Sequence, residues 1–433
     1  MITFDQILPV VTSTLREHQD ITNSVGWLLV NRDLNGRIRL IIPESIESNF
    51  VLKDQVDKLA FILAERLPPH AYPADAMILY EENMDFACRG AATFLLEGFS
   101  NVWLTDRLAT ESNWTKIAPE TQGARRVVFF SIKGGVGRST ALASTAWALA
   151  QAGKRVLIFD LDLESPGLSS ALLPPERQPK YGISDWLVED LVENSDTIFE
   201  SMVATSGLSH DGEIYVIPAH GIEPGEYVSK LGRVWMPKIR PDGTREDWSA
   251  RLQRLINTME TRFKPDVILL DARAGIDEVA SSCITDMGAN LILLFALEGS
   301  QTWTGYRILL KYWLQAGVAL DIRERLQIVA ALTPEIDRIS YFESLRDNAY
   351  NIFAESLYDE IAPGDTAVEC WHSEPLDSSA PHYPWEIRWH RSLAGLRSLH
   401  GRLNTIDGQE VHSIFGPLIE GIEGVLGMGN TNV

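Results

Sequence analysis

The stretch Ser131 to Thr140 reads S-I-K-G-G-V-G-R-S-T, and its residue types point to phosphate chemistry. Gly134, Gly135 and Gly137 let a backbone approach an anion closely and adopt conformations closed to other residues. Ser139 and Thr140 follow, where the start of a helix would aim its positive end and free N–H groups at that anion. The pattern G-x-x-x-x-G-K-[ST] of phosphate-binding loops is met only in part, because Ile132 stands at the first glycine and Arg138 at the lysine. Arginine is planar, fork-shaped and bulkier than lysine, so the exchange alters how a phosphate is gripped. Phosphoryl transfer depends on positioning and charge stabilisation, so a displaced cation can slow turnover and still permit binding. Downstream, R-V-L-I-F-D-L-D ends in Asp160 and Asp162, and D-V-I-L-L-D-A-R-A-G carries Asp271. Hydroxyls and carboxylates gathered at a glycine loop are the equipment of nucleotide binding.

These groups must be held by strands and helices. V-V-F-F-S-I is an apolar run before the loop, and A-L-A-S-T-A-W-A-L-A-Q-A-G after it reads as a helix with a glycine stop. Further apolar runs lie at Ile214 to Pro218, Val267 to Asp271, Leu291 to Leu297 and Ile328 to Leu332. They are short, do not alternate and are separated by helical segments. That is the mark of strands buried on both faces of a parallel α/β sheet with crossover helices. The carboxyl ends of such strands are where open sheets bind ligands, and the glycine loop, Asp160 and Asp271 all fall there.

Residues 1–120 read as a small α+β domain of unassigned role. It has a hairpin around Asn35-Gly36, a helix from Lys53 to Arg66, and strands in M-I-L-Y and N-V-W-L-T-D. Ala109 to Ala124 is the expected linker. A long insertion at about 171–264 carries Arg233, Lys238, Arg240, Arg245, Arg251 and Arg254, expected as a solvated helix face. A docking patch for an acidic or phosphate-bearing partner is the sharper alternative. Residues 336–433 form a C-terminal extension expected to pack on the phosphate-loop domain. In it P-H-Y-P-W-E-I-R-W-H-R reads as a packed loop entering a helix. Phe415, Leu418, Ile419, Ile422, Val425 and Leu426 recur at helical spacing. Glu420 and Glu423 occupy that helix where a membrane-binding one would carry lysine or arginine.

K-G-G-V-G-R-S-T resembles the deviant Walker A motif of the MinD/ParA family, K-G-G-x-G-K-[ST]. R-V-L-I-F-D-L-D-L-E-S-P-G-L resembles that family's second motif, and D-V-I-L-L-D-A-R-A-G its Walker B strand. The three motifs stand in family order across about residues 125–335, and the arginine is similar to the branch that carries KGGVGR. The resemblance implies a doubly wound, mostly parallel P-loop domain that dimerises with ATP at the interface and uses Mg²⁺. It implies that Gly134, Gly135, Val136, Gly137, Arg138, Ser139 and Thr140 hold the phosphates, and that Lys133 reaches those of a second copy. Asp162 matches the carboxylate that positions the attacking water, so the catalytic set is Lys133, Arg138 and Asp162. Ser139, Asp160 and Asp271 match the groups near Mg²⁺. The family often reads adenine with an asparagine after a late strand; here that strand ends A-A-L-T-P, at Thr333 and Pro334.

The composition narrows the partners. With 59 acidic against 38 basic residues the formal charge is −21, which opposes a chain that coats nucleic acid. Direct nucleic-acid binding is open only to a local basic patch at about 230–264. Cys88, Cys283 and Cys370 are far apart and read as reduced thiols of a cytoplasmic protein. Cys370-Trp371-His372 and His382 read as packed residues, and Trp303 as core or interface, with Gln301 able to meet the segment after Asp271. M-I-T-F-D-Q-I-L-P lacks the features of a signal peptide, and no apolar run approaches the ~20 residues that span a bilayer. The expected function is an ATP-dependent switch that dimerises, slowly hydrolyses ATP to ADP and phosphate, and regulates a protein partner. A nucleotide sensor or scaffold with little turnover is the alternative, and either suits a bacterial defence or regulatory operon. A phosphotransferase is a third class, for which the sequence offers no acceptor pocket.

Overall fold

The computed structural model describes residues 2–89, 91–107, 114–240, 242–360, 370–393, 398–425 and 427. The chain divides into two compact units, Met1–Lys116 with Gln315–Val318, and Ile117–Leu314 with Ala319–Val433.

The first unit is built on a five-stranded mixed sheet. Its strands are β1 (Leu28–Arg32), β2 (Ile38–Pro43), β3 (Ile78–Glu81), β4 (Ala92–Leu95) and β5 (Val102–Asp106), in the order β3-β2-β1-β5-β4. β1 and β2 are antiparallel, joined where Asn35-Gly36 signals a hairpin. Gly36 takes φ +76°, and Asp33 Oδ1 accepts from the N–H groups of Asn35 and Arg37. Alternate strand residues, Leu28 and Val30, Leu40 and Ile42, Val102 and Leu104, meet Val11 and Leu15 of the Ile7–Glu17 helix and Val56, Leu59 and Leu63 of the Phe50–Arg66 helix. The opposite face is covered more thinly, by Leu29 and Ile41 against Ala87 of a short helix.

The second unit contains an eight-stranded sheet. Its strands are β6 (Arg125–Ser131), β7 (Arg155–Asp160), β8 (Ala204–Thr205), β9 (Glu213–Ile217), β12 (Val267–Asp271), β13 (Leu291–Ala296), β14 (Leu326–Thr333) and β15 (Trp385–Arg388). A separate small hairpin joins β10 (Lys238–Ile239) and β11 (Arg245–Glu246). The order is β15-β14-β13-β6-β12-β7-β9-β8, parallel throughout except for edge strand β8. The unalternating runs are buried on both faces: Phe129 joins the cluster under the Arg138–Gln151 helix, and Phe130 meets Tyr306 of the Ser300–Gln315 helix. This is a doubly wound α/β sheet, preceded by a small α+β unit.

Two expectations change in the C-terminal and inserted segments. Trp385–Arg388 is strand β15, not a loop entering a helix, because it gains backbone pairing along the edge of β14. The basic residues of the insertion are largely turned into ion pairs. Arg251, Arg254 and Lys238 surround the buried Asp190, Arg240 and Arg254 meet Glu246, and Arg245 meets Asp247. Phe415, Leu418, Ile419 and Ile422 of the Gly408–Val425 helix lie in the same core as Leu142 and Ala146 of the Arg138–Gln151 helix, whereas Val425 is exposed and Leu426 lies outside the described residues. Trp303 is core. The cysteines are free thiols, and no group of three or more His, Cys, Asp or Glu placed to hold a metal by themselves occurs among the described residues. No described helix is long and apolar enough to cross a membrane.

Candidate functional site

The site is assembled at the carboxyl ends of three neighbouring strands. β12 lies between β6 and β7, and its register puts Asp271 level with Asp160 on one side and with Phe129 on the other. The loop leaves β6 at Ser131 and turns through Gly135 (φ +75°) and Gly137 (φ +78°) into the helix that Arg138 opens. A methyl group added at Gly134 or Gly135 would meet nothing within 4 Å, so open space faces these backbone groups. The cleft beside them has a volume of about 510 Å³ and is lined by the loop from Gly134 to Thr140, with Ser131, Asp162, Ser165, Arg273 and Ala274. Glycine φ values above zero, open space at Gly134 and Gly135 and a helix start give this loop the geometry of a phosphate cradle.

Arg138 borders the cleft but is only 7% exposed, and its guanidinium is taken up by neighbouring side chains. Its Nε donates to Asp271 Oδ1 at 2.6 Å, one terminal nitrogen to Ser131 Oγ at 3.1 Å and the other to Asp162 Oδ2 at 3.4 Å. Ser139 Oγ donates to the second Asp271 oxygen at 2.7 Å. Burial alone would lower the Arg138 pKa, but the Asp271 charge and hydrogen bond outweigh it and raise the value. Asp160 is fully buried; its Oδ2 accepts a long bond from the Ser169 N–H at 3.4 Å, and its Oδ1 has no hydrogen-bond partner among the described residues. Burial, then the charge of Asp271, pushes the Asp160 carboxyl up to about 8. Burial also raises Asp162, against the pull of Arg138. Asp162 and Asp271 thus share the Arg138 guanidinium, and Asp160 has none bonded to it.

An orphaned buried carboxylate oxygen in a cluster with excess negative charge fits a cation. Asp160, Asp271 and the Ser139 hydroxyl are hard oxygen donors of the kind magnesium takes. The residues present therefore fit both a phosphate and Mg²⁺.

The expected site residues separate into groups. Ser139, Arg138, Asp160, Asp162 and Asp271 come together, and Gly134, Gly135, Val136, Gly137 and Thr140 form the loop over them. Lys133 stands apart, exposed and without an ion pair among the described residues. Sequence reasoning missed Arg273 and Ser165 on the cleft wall; the signal for Arg273 is its place in D-A-R-A-G, two residues past Asp271. The segment containing Arg273 is tied to the loop by the Gly275 N–H, which donates to the Ser131 carbonyl at 2.9 Å. A second cavity of about 230 Å³ shares Gly135, Gly137 and Thr140 with the cleft and is closed by Leu332, Trp389 and Phe415. Leu332 is held at φ +51°, and the Trp389 N–H donates to the Thr333 carbonyl at 2.8 Å. Sequence reasoning reached Thr333 and Pro334 but not Trp389, which β15 delivers. On the other flank, Tyr227 of the insertion donates to the Leu163 carbonyl at 2.5 Å, just after Asp162.

No curated protein matches the chain. Solved structures similar to it include a ParA family ATPase from Chlorobium tepidum TLS, 18% identical, covering 67% of this chain and 92% of its own, with a TM-score of 0.39. The septum site-determining protein MinD of Pyrococcus horikoshii OT3, solved with Mg-ADP, is 18% identical over 71% of this chain and 100% of its own, with a TM-score of 0.42. Cobyrinic acid a,c-diamide synthase of Mycobacterium smegmatis, solved with an ATP analog and magnesium, is 19% identical over 55% of this chain and 86% of its own, with a TM-score of 0.37. A family profile described as the CobQ/CobB/MinD/ParA nucleotide binding domain matches residues 127–399, more than half of the chain and all of the motifs that build the site, and the chain belongs to that family.

Proposed function

We propose that this protein is an ATP-dependent switch that binds Mg-ATP, pairs with a second copy through the nucleotide face, slowly hydrolyses ATP to ADP and phosphate, and regulates a protein partner. The observation that carries this reading is the buried carboxylate set, with its orphaned Asp160 oxygen, beneath an open glycine loop at a helix start. In this reading residues 125–335 hold the nucleotide, residues 336–433 pack on that domain, residues 1–120 carry the output, and the protein works in the cytoplasm.

The loop N–H groups and Thr140 hold phosphate oxygens, and the helix start adds its positive end. Ser139, Asp160 and Asp271 hold Mg²⁺, which when bound neutralises charge on the phosphate oxygens. Asp162 orients the attacking water; its burial raises its pKa, which makes it a better proton acceptor. Lys133, free at the surface, closes on the phosphates of the second copy. The small cavity at Leu332 and Trp389 takes the nucleoside end.

The test is one incubation of the purified protein with Mg²⁺ and labelled ATP, reading retained nucleotide and released phosphate together, with Asp162→Ala alongside. Retained nucleotide with phosphate release that depends on Asp162 is the expected result. If neither nucleotide nor release is found, the reading falls. Lys133→Ala is expected to abolish ATP-induced dimerisation, seen by light scattering, and unchanged dimers would remove the role given to Lys133.

A second reading, a sensor that binds without turnover, is favoured by the way Arg138 is bound to Asp271 and Asp162. There the arginine acts as a brake. Arg138→Lys should then speed phosphate release while nucleotide stays bound; no gain in rate would count against the brake.

A further inference from the structure

Arg138, at the lysine position of the loop, borders the cleft but is only 7% exposed, and its guanidinium is committed to protein partners. Every nitrogen of the Arg138 guanidinium is used on Ser131, Asp162 and Asp271 below it. A nucleotide needs a cation on the cleft side, and the cleft wall supplies one. Arg273, one-third exposed, lines the cleft with Asp162 and Ser165. It is held there by two acids, Glu164 at 2.5 Å and Asp277 at 3.4 Å. Glu164 follows the Asp160–Asp162 motif, and Asp277 caps the helix Glu278–Thr285 by accepting from the Val279 and Ala280 N–H groups.

The two cavities set the direction of a bound nucleotide. They share Gly135, Gly137 and Thr140; one is lined mainly by apolar Leu332, Ile387, Trp389 and Phe415, with Arg388 and His390, and the other runs to Asp162, Ser165 and Arg273. A nucleoside suits the apolar end and phosphates suit the polar end. Arg273 therefore stands where the last phosphate of the chain would lie. A planar guanidinium forks onto phosphate oxygens as it does onto a carboxylate, so Glu164 and phosphate compete for the same face.

We infer that Arg273 is the contact that distinguishes a nucleoside triphosphate from a diphosphate: in the resting protein it is parked on Glu164, and it leaves that carboxylate for the terminal phosphate. The inference rests on the nucleotide reading above. Release of Glu164 and Asp277 by Arg273 then passes the presence of the terminal phosphate to the loop after β7 and to the helix after β12.

The test is calorimetric binding of the non-hydrolysable triphosphate AMPPNP and of ADP, each with Mg²⁺, to the full-length protein and three variants. Arg273→Gln is expected to weaken AMPPNP about tenfold or more, the scale of one charge-assisted contact, and to change ADP by less than about twofold. Arg273→Lys, which keeps the charge but loses the fork, should recover part of the AMPPNP affinity. Glu164→Gln should leave AMPPNP affinity unchanged or raise it, because it removes the competitor. A merely structural salt bridge predicts the opposite, with Glu164→Gln and Arg273→Gln weakening both nucleotides alike. That result, or no change of the AMPPNP-to-ADP ratio in Arg273→Gln, overturns the inference and leaves the nucleotide reading standing. If Arg273→Gln fails to fold, the ratio in Arg273→Lys and the sign of the Glu164→Gln effect decide. Wild-type protein that binds neither nucleotide overturns both.

Discussion

Two buried arginine–aspartate clusters in the second unit look alike in outline and differ in their charge balance. In the insertion, Asp190 is 1% exposed and receives Arg251 and Arg254, each at 2.8 Å, and Lys238 at 3.2 Å. Arg251 is itself fully buried and also donates to the carbonyls of Met236 and Leu187. Burial would raise the Asp190 pKa, but the hydrogen bonds from Arg251 and Arg254 outweigh it and hold the carboxyl below its ordinary range. At the glycine loop the balance is reversed, with Asp162 and Asp271 ion-paired to Arg138, Arg273 nearby but ion-paired to Glu164 and Asp277, and one Asp160 oxygen without a partner among the described residues. A cluster that has satisfied its acids holds a fold together. A cluster short of positive charge has the chemistry to accept a cationic ligand.

The same substitution at the two clusters should break the likeness most clearly. Asp190→Asn leaves Arg251 buried without its counter-charge, and stability should fall by about 3–5 kcal/mol, seen as a large drop in thermal midpoint. If Asp190→Asn unfolds like wild type, the insertion cluster does not hold the fold together.

The next effect in size concerns ligand linkage. Mg-ATP at about 100 times its Kd should stabilise wild type by about 2.7 kcal/mol, measured as a rise in thermal midpoint. Asp190→Asn should keep that increment on a lower baseline, whereas Asp271→Asn should lose most of it. An equal loss in both variants would erase the distinction between the clusters.

The pH dependence should have opposite signs at the two sites. Asp190 is depressed in the fold, so its contribution is present above the ordinary carboxylate pKa of about 3.8 and is lost as pH falls through its lower folded value. Asp160 is raised to about 8, so between about pH 4 and 8 the folded state binds the extra proton and ligand-free stability declines as pH rises. The slope from Asp160 is at most about 1.4 kcal/mol per pH unit, and Asp160→Asn should flatten it in urea unfolding series.

The smallest effect is the most telling about Asp160. At neutral pH without ligand, Asp160→Asn should lie within about 1 kcal/mol of wild type, because it removes a carboxyl with no cation of its own. A loss as large as that of Asp190→Asn would mean that the loop cluster is already satisfied.

Much of the fold was legible because strand burial is written locally. Val267–Asp271 and Leu291–Ala296 are unalternating apolar runs, and they are strands buried on both faces. The hairpin at Asn35-Gly36 was legible for the same reason: φ +76° at Gly36 is a property of one residue. Strand β15 was not, since Trp385–Arg388 is short and becomes a strand only by pairing along β14. The basic stretch of the insertion was read as a solvated face because its acid partner, Asp190, lies 61 residues from Arg251 along the chain.

At the site, the residue types and their order were determined by the sequence alone: a glycine loop after one apolar run, Asp160 and Asp162 after a second, Asp271 after a third. Only the tertiary structure decided which way Arg138 points, that Asp160 keeps an unpaired oxygen, and that Arg273 faces the cleft. The physical reason is the strand order. Placing β12 between β6 and β7 sets Asp271 level with Asp160 and within reach of a side chain 133 residues away. Backbone preference is set by neighbours in sequence, whereas the direction of a buried charge is set by whichever opposite charge the fold brings to it.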